Sequence, residues 1–339
     1  MARWLGHAAI NGHAVETEGG RVSLVDRILQ EPELRATPPV LVDIGAAGGV
    51  APVWRSIARH SIGVGFEPDA RDTERLGRAH GAFGRWIYCE GLVAPTVEEG
   101  GRKNFNLTQS PHCSSLLTPR ADRLQDWVFA DFFTVEKVVA VPAVTLPAAL
   151  AANGIDRVDW LKCDTQGLDL GIFLSLPPAW RQRLLAVDFE PGLIDAYEGE
   201  DKLAEVLAAM EREPFWLARL DVVGTVRGRR DLFARHLGPR WLPWVRRLAP
   251  TASAWGNLRY LRDFSRLADS LDRRAWLLGW VFATLLGQHG AALDLAEQGG
   301  ARFGGDLFPE MARASVRHLR RSMLLGLPGW LWRRLTGRS

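Results

Sequence analysis

The chain of 339 residues is short of lysine, cysteine and long apolar runs, and each shortage excludes something. Only Lys103, Lys137, Lys162 and Lys202 are lysines, so the formal net charge of +3 rests on arginine, with acids interleaved through most of the sequence. That mixture lacks the basic stripe of a nucleic-acid footprint, and no nucleic-acid partner is expected. The three cysteines, Cys89, Cys113 and Cys163, are odd in number and without paired spacing. Neither a disulfide framework nor a zinc site is indicated, no metal ligand is assigned, and a reducing compartment is expected. Residues 1–13 hold no sustained apolar core followed by a small-residue cleavage site, which argues against export. The longest apolar stretch, residues 275–287, is short for a bilayer crossing and reads as a buried helix. A cytoplasmic location is the expectation.

What is present is a core-forming composition, 47% hydrophobic, enough for one large domain with an appendage or for two domains. Its most informative segment is LVDIGAAGGV, residues 41–50, followed by the apolar run 62–66 and Glu67. Four apolar residues form a buried strand with Asp43 near its end, and Gly45, Gly48 and Gly49 let the backbone turn tightly against a ligand. An acid at the tip of the next strand is placed to hydrogen-bond both hydroxyls of a ribose. A phosphate-cradling loop needs Lys-Ser/Thr after its last glycine, whereas Val50 and Ala51 follow Gly49. The dinucleotide fingerprint needs a second glycine where Ala47 stands. A carboxylate two residues before the first glycine suits a cation, and so favours S-adenosyl-L-methionine, whose tail carries an ammonium group. An NAD-dependent oxidoreductase is the alternative, since Glu67 serves that ribose equally.

The first half alternates strand and helix patterns as a parallel sheet does. Strands are expected over 40–44, 62–66, 85–89, 158–163 and 184–189, with helices over 53–60, 70–80, 146–153, 168–176 and 203–212. Residues 98–120 read as a long loop, 136–144 resume regularity, and 215–226 with 231–233 read as a closing antiparallel hairpin. One doubly wound, mostly parallel α/β sheet results, with sites at the carboxyl ends of its strands. The expected division is an N-terminal extension, 1–35, a cofactor-binding domain, 36–236, and a Trp- and Arg-rich helical region, 237–339.

A second constellation is VDWLKCDTQGLDL, residues 158–170, a strand that ends in charge. Lys162 and Asp164 lie two apart and project to one face, where burial is costly unless they pair with each other or with a ligand. Asp188 and Glu190 repeat the pattern in AVDFEP, so Glu190 is expected to open into the same crevice as Asp164. The loop segment SPHCSSLL adds His112 as a base and Ser114 and Ser115 as hydroxyl contacts.

The succession LVDIGAAGG, GVGFEPD, SSLL, AVTLPAAL, VDWLKCDTQGLDL and AVDFEP resembles the FkbM-type family of S-adenosylmethionine-dependent methyltransferases over roughly residues 40–191. The resemblance implies a Rossmann-like, class I methyltransferase sheet of seven strands. It further implies that Asp43, Gly45, Ala46, Gly48, Glu67 and Pro68 bind the cofactor. Lys162, Asp164 and Glu190 would then face the substrate, with His112 as an alternative base. Gln166 stands where many relatives carry Glu, and Pro147 replaces an expected acid. The implied reaction is O-methylation of a hydroxyl on a sugar, glycan or secondary metabolite.

The last stretch, residues 311–339, is basic and acid-free, with seven arginines among Leu324, Leu325, Leu327, Trp330, Leu331 and Trp332. A helix of that kind suits peripheral contact with an anionic membrane at its inner face. The interruption at Pro328 and Gly329 favours instead an apolar face packed on the rest of the protein. A non-catalytic adaptor that brings a glycan-assembly system to a membrane is the reading of the chain from a different functional class.

Overall fold

The computed structural model describes residues 23–45, 50–68, 81–89, 91–98, 101–266 and 270–336. It divides into two units, Pro39–Asp263 and a second that joins residues 23–38 to residues 264–336.

The first unit is α/β. Its strands, in chain order, are β1 (Val40–Ile44), β2 (Ile62–Phe66), β3 (Arg85–Cys89), β4 (Leu92–Val93), β5 (Arg102–Thr108), β6 (Val135–Val144), β7 (Trp160–Cys163), β8 (Ala186–Phe189), β9 (Phe215–Thr225) and β10 (Ala252–Arg262). Seven of them form one sheet in the order β3-β2-β1-β7-β8-β10-β9. β3 to β8 pair in parallel, and β10 runs antiparallel to both of its neighbours. Every residue of β1 and of β8 is buried, as strands covered on both faces require. The helices Leu146–Ala152, Asp169–Ser175 and Leu203–Met210 supply that cover through Leu150, Ile172, Phe173 and Val206. Phe173 meets Phe189 and Phe215 edge to face at 5.6 and 6.3 Å. Burying one such ring contributes about 1.5–3 kcal/mol. A separate three-stranded sheet, β4-β6-β5, packs around Phe105.

Several sequence expectations require correction. The helix expected over 53–60 is two 3-10 turns, Pro52–Trp54 and Ala58–His60, and the helix expected over 70–80 lies outside the described residues. The loop expected over 98–120 contains β5, whose only apolar residues are Phe105 and Leu107 and whose periodicity is accordingly faint. Residues 231–233 belong to the helix Arg230–Leu237, and the true partner of β9 is β10. That strand moves the division from residue 236 to residue 263. Its tryptophan and basic residues read as helix, yet it inserts between β8 and β9.

The second unit is helical: Leu24–Leu29, Pro32–Ala36, Arg273–Leu285, His289–Phe303 and Leu307–Thr336. The buried helix expected over 275–287 is Arg273–Leu285, in which Arg274 through Leu285 are all buried and Asp272 caps the start by accepting from the Ala275 amide at 2.9 Å. The cap satisfies one of the donors that a helix start leaves open. Arg273 binds Glu31 at 2.9 Å and also Glu33, tying residues 23–38 to this helix. Among the described residues no helix is long and apolar enough to cross a membrane.

Candidate active site

Paired positions on neighbouring strands project to the same face. The register sets Asp43 beside Lys162, Lys162 beside Asp188, and Asp188 beside Arg259. Four adjacent strands thus carry a row that alternates acid and base. Lys162 Nζ donates to Asp43 Oδ1 at 2.7 Å, and Arg259 grips Asp188 through Nε and Nη2 at 2.7 and 2.6 Å. The row is how charge survives in an apolar sheet, because each buried group has an opposite charge next to it. Burial acts to lower the Lys162 pKa, but the carboxylates of Asp43 and Asp164 outweigh it and raise it.

These pairings reassign three residues. Asp43, only 3% exposed and expected to meet the ammonium of a ligand, meets that of Lys162. Lys162 pairs with Asp43 across the sheet and not with Asp164 along its own strand. Asp188, expected to face the same way as Glu190, is taken up by Arg259 from a strand that reads as helix.

Asp164 follows β7 and extends its pairing with β1, its amide donating to the Ile44 carbonyl at 3.0 Å. Opposite it stands Gly45 at φ +85°, where a Cβ would lie 2.1 Å from the Asp164 carbonyl oxygen. Glycine is required there both by the dihedral and by the approach of the backbone. The chain runs outward from β1 through β2 and β3, then returns on the other side through β7, so Gly45 and Asp164 mark the point where strand order reverses. Ligands of open α/β sheets bind outside the carboxyl ends of strands at such a point.

Glu67 follows β2 at the same level, since the Gly45 amide donates to the Phe66 carbonyl at 3.0 Å. Glu67 is buried, its carbonyl accepts from the Tyr88 hydroxyl at 2.9 Å, and Pro68 beside it is half-buried. Ala46 and Gly48 lie outside the described residues.

Glu190 directly follows β8, and its carboxyl lies near that of Asp164, as its expected place in the same crevice requires. Burial first, and the Asp164 carboxylate second, push the Glu190 carboxyl well above its ordinary range. The Glu190 amide donates to Asp169 Oδ2 at 2.8 Å, and Asp169 Oδ1 accepts from the Thr165 amide and hydroxyl at 2.9 and 2.6 Å. Burial raises Asp169 to about 6 against these favourable contacts.

The turn between them is strained. Gln166 has φ +58°, and its Nε2 donates to Asp164 Oδ1 at 2.8 Å. Its carbonyl accepts from Ser115 Oγ at 2.9 Å, and its Oε1 lies 3.3 Å from the Tyr197 hydroxyl, which donates to the Cys113 carbonyl at 2.8 Å. Ser114 Oγ accepts from the Thr108 amide at 3.1 Å. The two serines expected as hydroxyl contacts are therefore buried struts, Ser115 holding its segment against the turn and Ser114 against β5. His112, on the 3-10 turn Pro111–Cys113, is partly exposed and makes no hydrogen bond to the site carboxyls among the described residues. Among those residues no three His, Cys, Asp or Glu side chains group as metal ligands.

Sequence reading misses Asp169 and Tyr197. Thr165 and Asp169, four apart around Gly167, are a local signal for the first. Tyr197 comes from 31 residues away and leaves none. No protein-family model, curated protein or solved structure matches the chain.

Proposed function

We propose that the chain is an S-adenosylmethionine-dependent O-methyltransferase of the class I, FkbM-like type, acting on a hydroxyl of a sugar, glycan or secondary metabolite. The observation that carries this reading is the excess of acid at the switch point. Asp43 and Lys162 cancel, which leaves Asp164 opposite Gly45 with Glu190 beside it, while Glu67 follows β2 at the same level. Such a rim favours a sulfonium and an ammonium and disfavours the pyrophosphate of a dinucleotide. Strand order supports the same choice. Dinucleotide-binding sheets run 3-2-1-4-5-6 in parallel; here the last strand enters antiparallel between the fifth and sixth.

Gly45 supplies the close backbone approach and Glu67 the ribose contact, with Asp164 and Glu190 on the acceptor side. Bound there, S-adenosylmethionine supplies an electrophilic methyl group. A neutral hydroxyl is a weak nucleophile, and its proton must leave as its oxygen gains carbon. Glu190, in its deprotonated form, is the group that takes it: its raised pKa makes it a stronger base than an ordinary carboxylate. Lys162 and Gln166 are positioning residues that fix Asp43 and Asp164. Held alignment of acceptor and methyl group supplies much of the acceleration.

Calorimetry with S-adenosylhomocysteine and with NAD tests the proposal. Binding of the former alone is expected, and Glu67→Ala should weaken it about 10- to 100-fold, the worth of hydrogen bonds to a charged group. Binding of NAD alone, or of neither, would overturn it.

A further inference from the structure

The helix Leu307–Thr336 changes character along its length. Its first turns are packed, with Phe308, Met311, Ala312, Ala314 and Ser315 buried. From Arg320 onward every position whose burial is described is exposed, including Leu324 at 70%, Leu325 at 64% and Trp332 at 55%. The expectation that this apolar face packs on the rest of the protein is not met. The helix continues through Pro328.

We infer that this half-helix is a docking surface for an anionic phospholipid bilayer, on which it lies in the plane of the headgroups. Charge complementarity selects that occupant. The sequence holds no acid after Glu310, and arginine pairs at 320–321 and 333–334 bracket the apolar residues 323–332. At 1.5 Å per residue the two pairs stand about 20 Å apart, short of the ~30 Å hydrocarbon core, so the segment cannot place one pair on each side of a bilayer. Lying flat, Leu324, Leu327 and Leu331, which share one face, enter the acyl boundary while Arg320 and Arg334 at either end reach phosphates. The basic surface continues toward the packed half. Arg313, Arg317 and Arg320, at i, i+4 and i+7, line one side of an open groove of about 810 Å³ whose floor is Ala296, Phe308 and Ala312, with Glu297 as its acid. A protein partner would have to match this apolar segment flanked by four arginines, whereas an anionic lipid surface matches both features without further specificity.

The test uses the full chain in co-sedimentation with phosphatidylcholine vesicles, with and without phosphatidylglycerol. Binding is expected only with phosphatidylglycerol and should weaken as salt rises. Arg320→Gln with Arg334→Gln should reduce partitioning about fivefold per arginine, about thirtyfold together. Leu324→Glu with Leu331→Glu should abolish it. All four positions are exposed, so circular dichroism and S-adenosylhomocysteine affinity should stay unchanged, and the result does not depend on the methyltransferase reading. No sedimentation at low salt, equal binding to pure phosphatidylcholine, or a concentration-dependent dimer that the Leu→Glu pair dissolves without any vesicle binding would overturn the inference. In the last case the occupant is a second copy of the chain.

Discussion

Gly45→Ala is the sharpest perturbation of the switch point, and three glycines of the same unit separate its causes. Gly81 has open space around it and an ordinary φ, Gly154 has open space at φ +70°, and Gly45 combines φ +85° with the 2.1 Å approach to the Asp164 carbonyl. Gly81→Ala should therefore shift stability by no more than about 0.5 kcal/mol, or raise it slightly by stiffening the unfolded chain. Gly154→Ala carries the left-handed dihedral alone, about 1–2 kcal/mol. Gly45→Ala adds overpacking against backbone, which has no rotamer to yield, for about 1–3 kcal/mol more and about 2–5 kcal/mol in total. Urea unfolding measures all three, with the slope of the transition checked for constancy. S-adenosylhomocysteine affinity should fall only in the Gly45 variant. If Gly45→Ala costs no more than Gly154→Ala, the close approach of β1 to the β7 turn is refuted, and the crevice built on it with it.

Removing one member of the alternating row should be severe: Asp188→Ala leaves Arg259 buried without its partner and should cost about 3–5 kcal/mol, whereas Asp188→Leu with Arg259→Met should cost far less by urea unfolding. Asp169 is raised from 3.8 to about 6, so the folded state holds that proton longer than the unfolded one. Its contribution is present below about pH 4 and is lost as pH rises to about 6, some 3 kcal/mol, and Asp169→Asn should flatten the stability profile across that window. For the proposed reaction, the rate should rise with pH as Glu190 loses its proton, and Glu190→Gln should remove that limb while leaving S-adenosylhomocysteine affinity within a few-fold.

The buried strands are legible in the sequence because cover on both faces leaves apolar runs: residues 40–44 and 62–66 match β1 and β2 to the residue, and the half-exposed edge strand β3 also matches the expected 85–89. The Asp164–Glu190 contact is legible too, since each residue directly follows the end of its strand and adjacent parallel strands bring such ends together. The partners of Asp43 and Asp188 are not. Lys162 is visible as a charge, but only the register shows that it answers β1. Arg259 arrives from a strand whose 11 residues mix aromatic, polar and basic side chains without a clean alternation of period two. β5 is hidden for a related reason: only Phe105 and Leu107 among its residues are apolar, which leaves little of the signal by which strands are found, whereas β9 falls within the expected 215–226 and only its partner differs. The tail misleads in the opposite direction, because its apolar residues imply burial and the helix leaves them in solvent.

The insertion of β10 between β8 and β9 has a consequence for how the chain emerges from the ribosome. Until residue 262 is available, β8 has β7 on one side and an open edge on the other, and Asp188 waits on that edge for a guanidinium 71 residues further on. Nascent chains that end before β10 would present a raw strand edge next to an unneutralised acid, a form suited to chaperone capture or to mispairing with other copies. Completion of the sheet thus waits for β10, the last of its own seven strands in chain order.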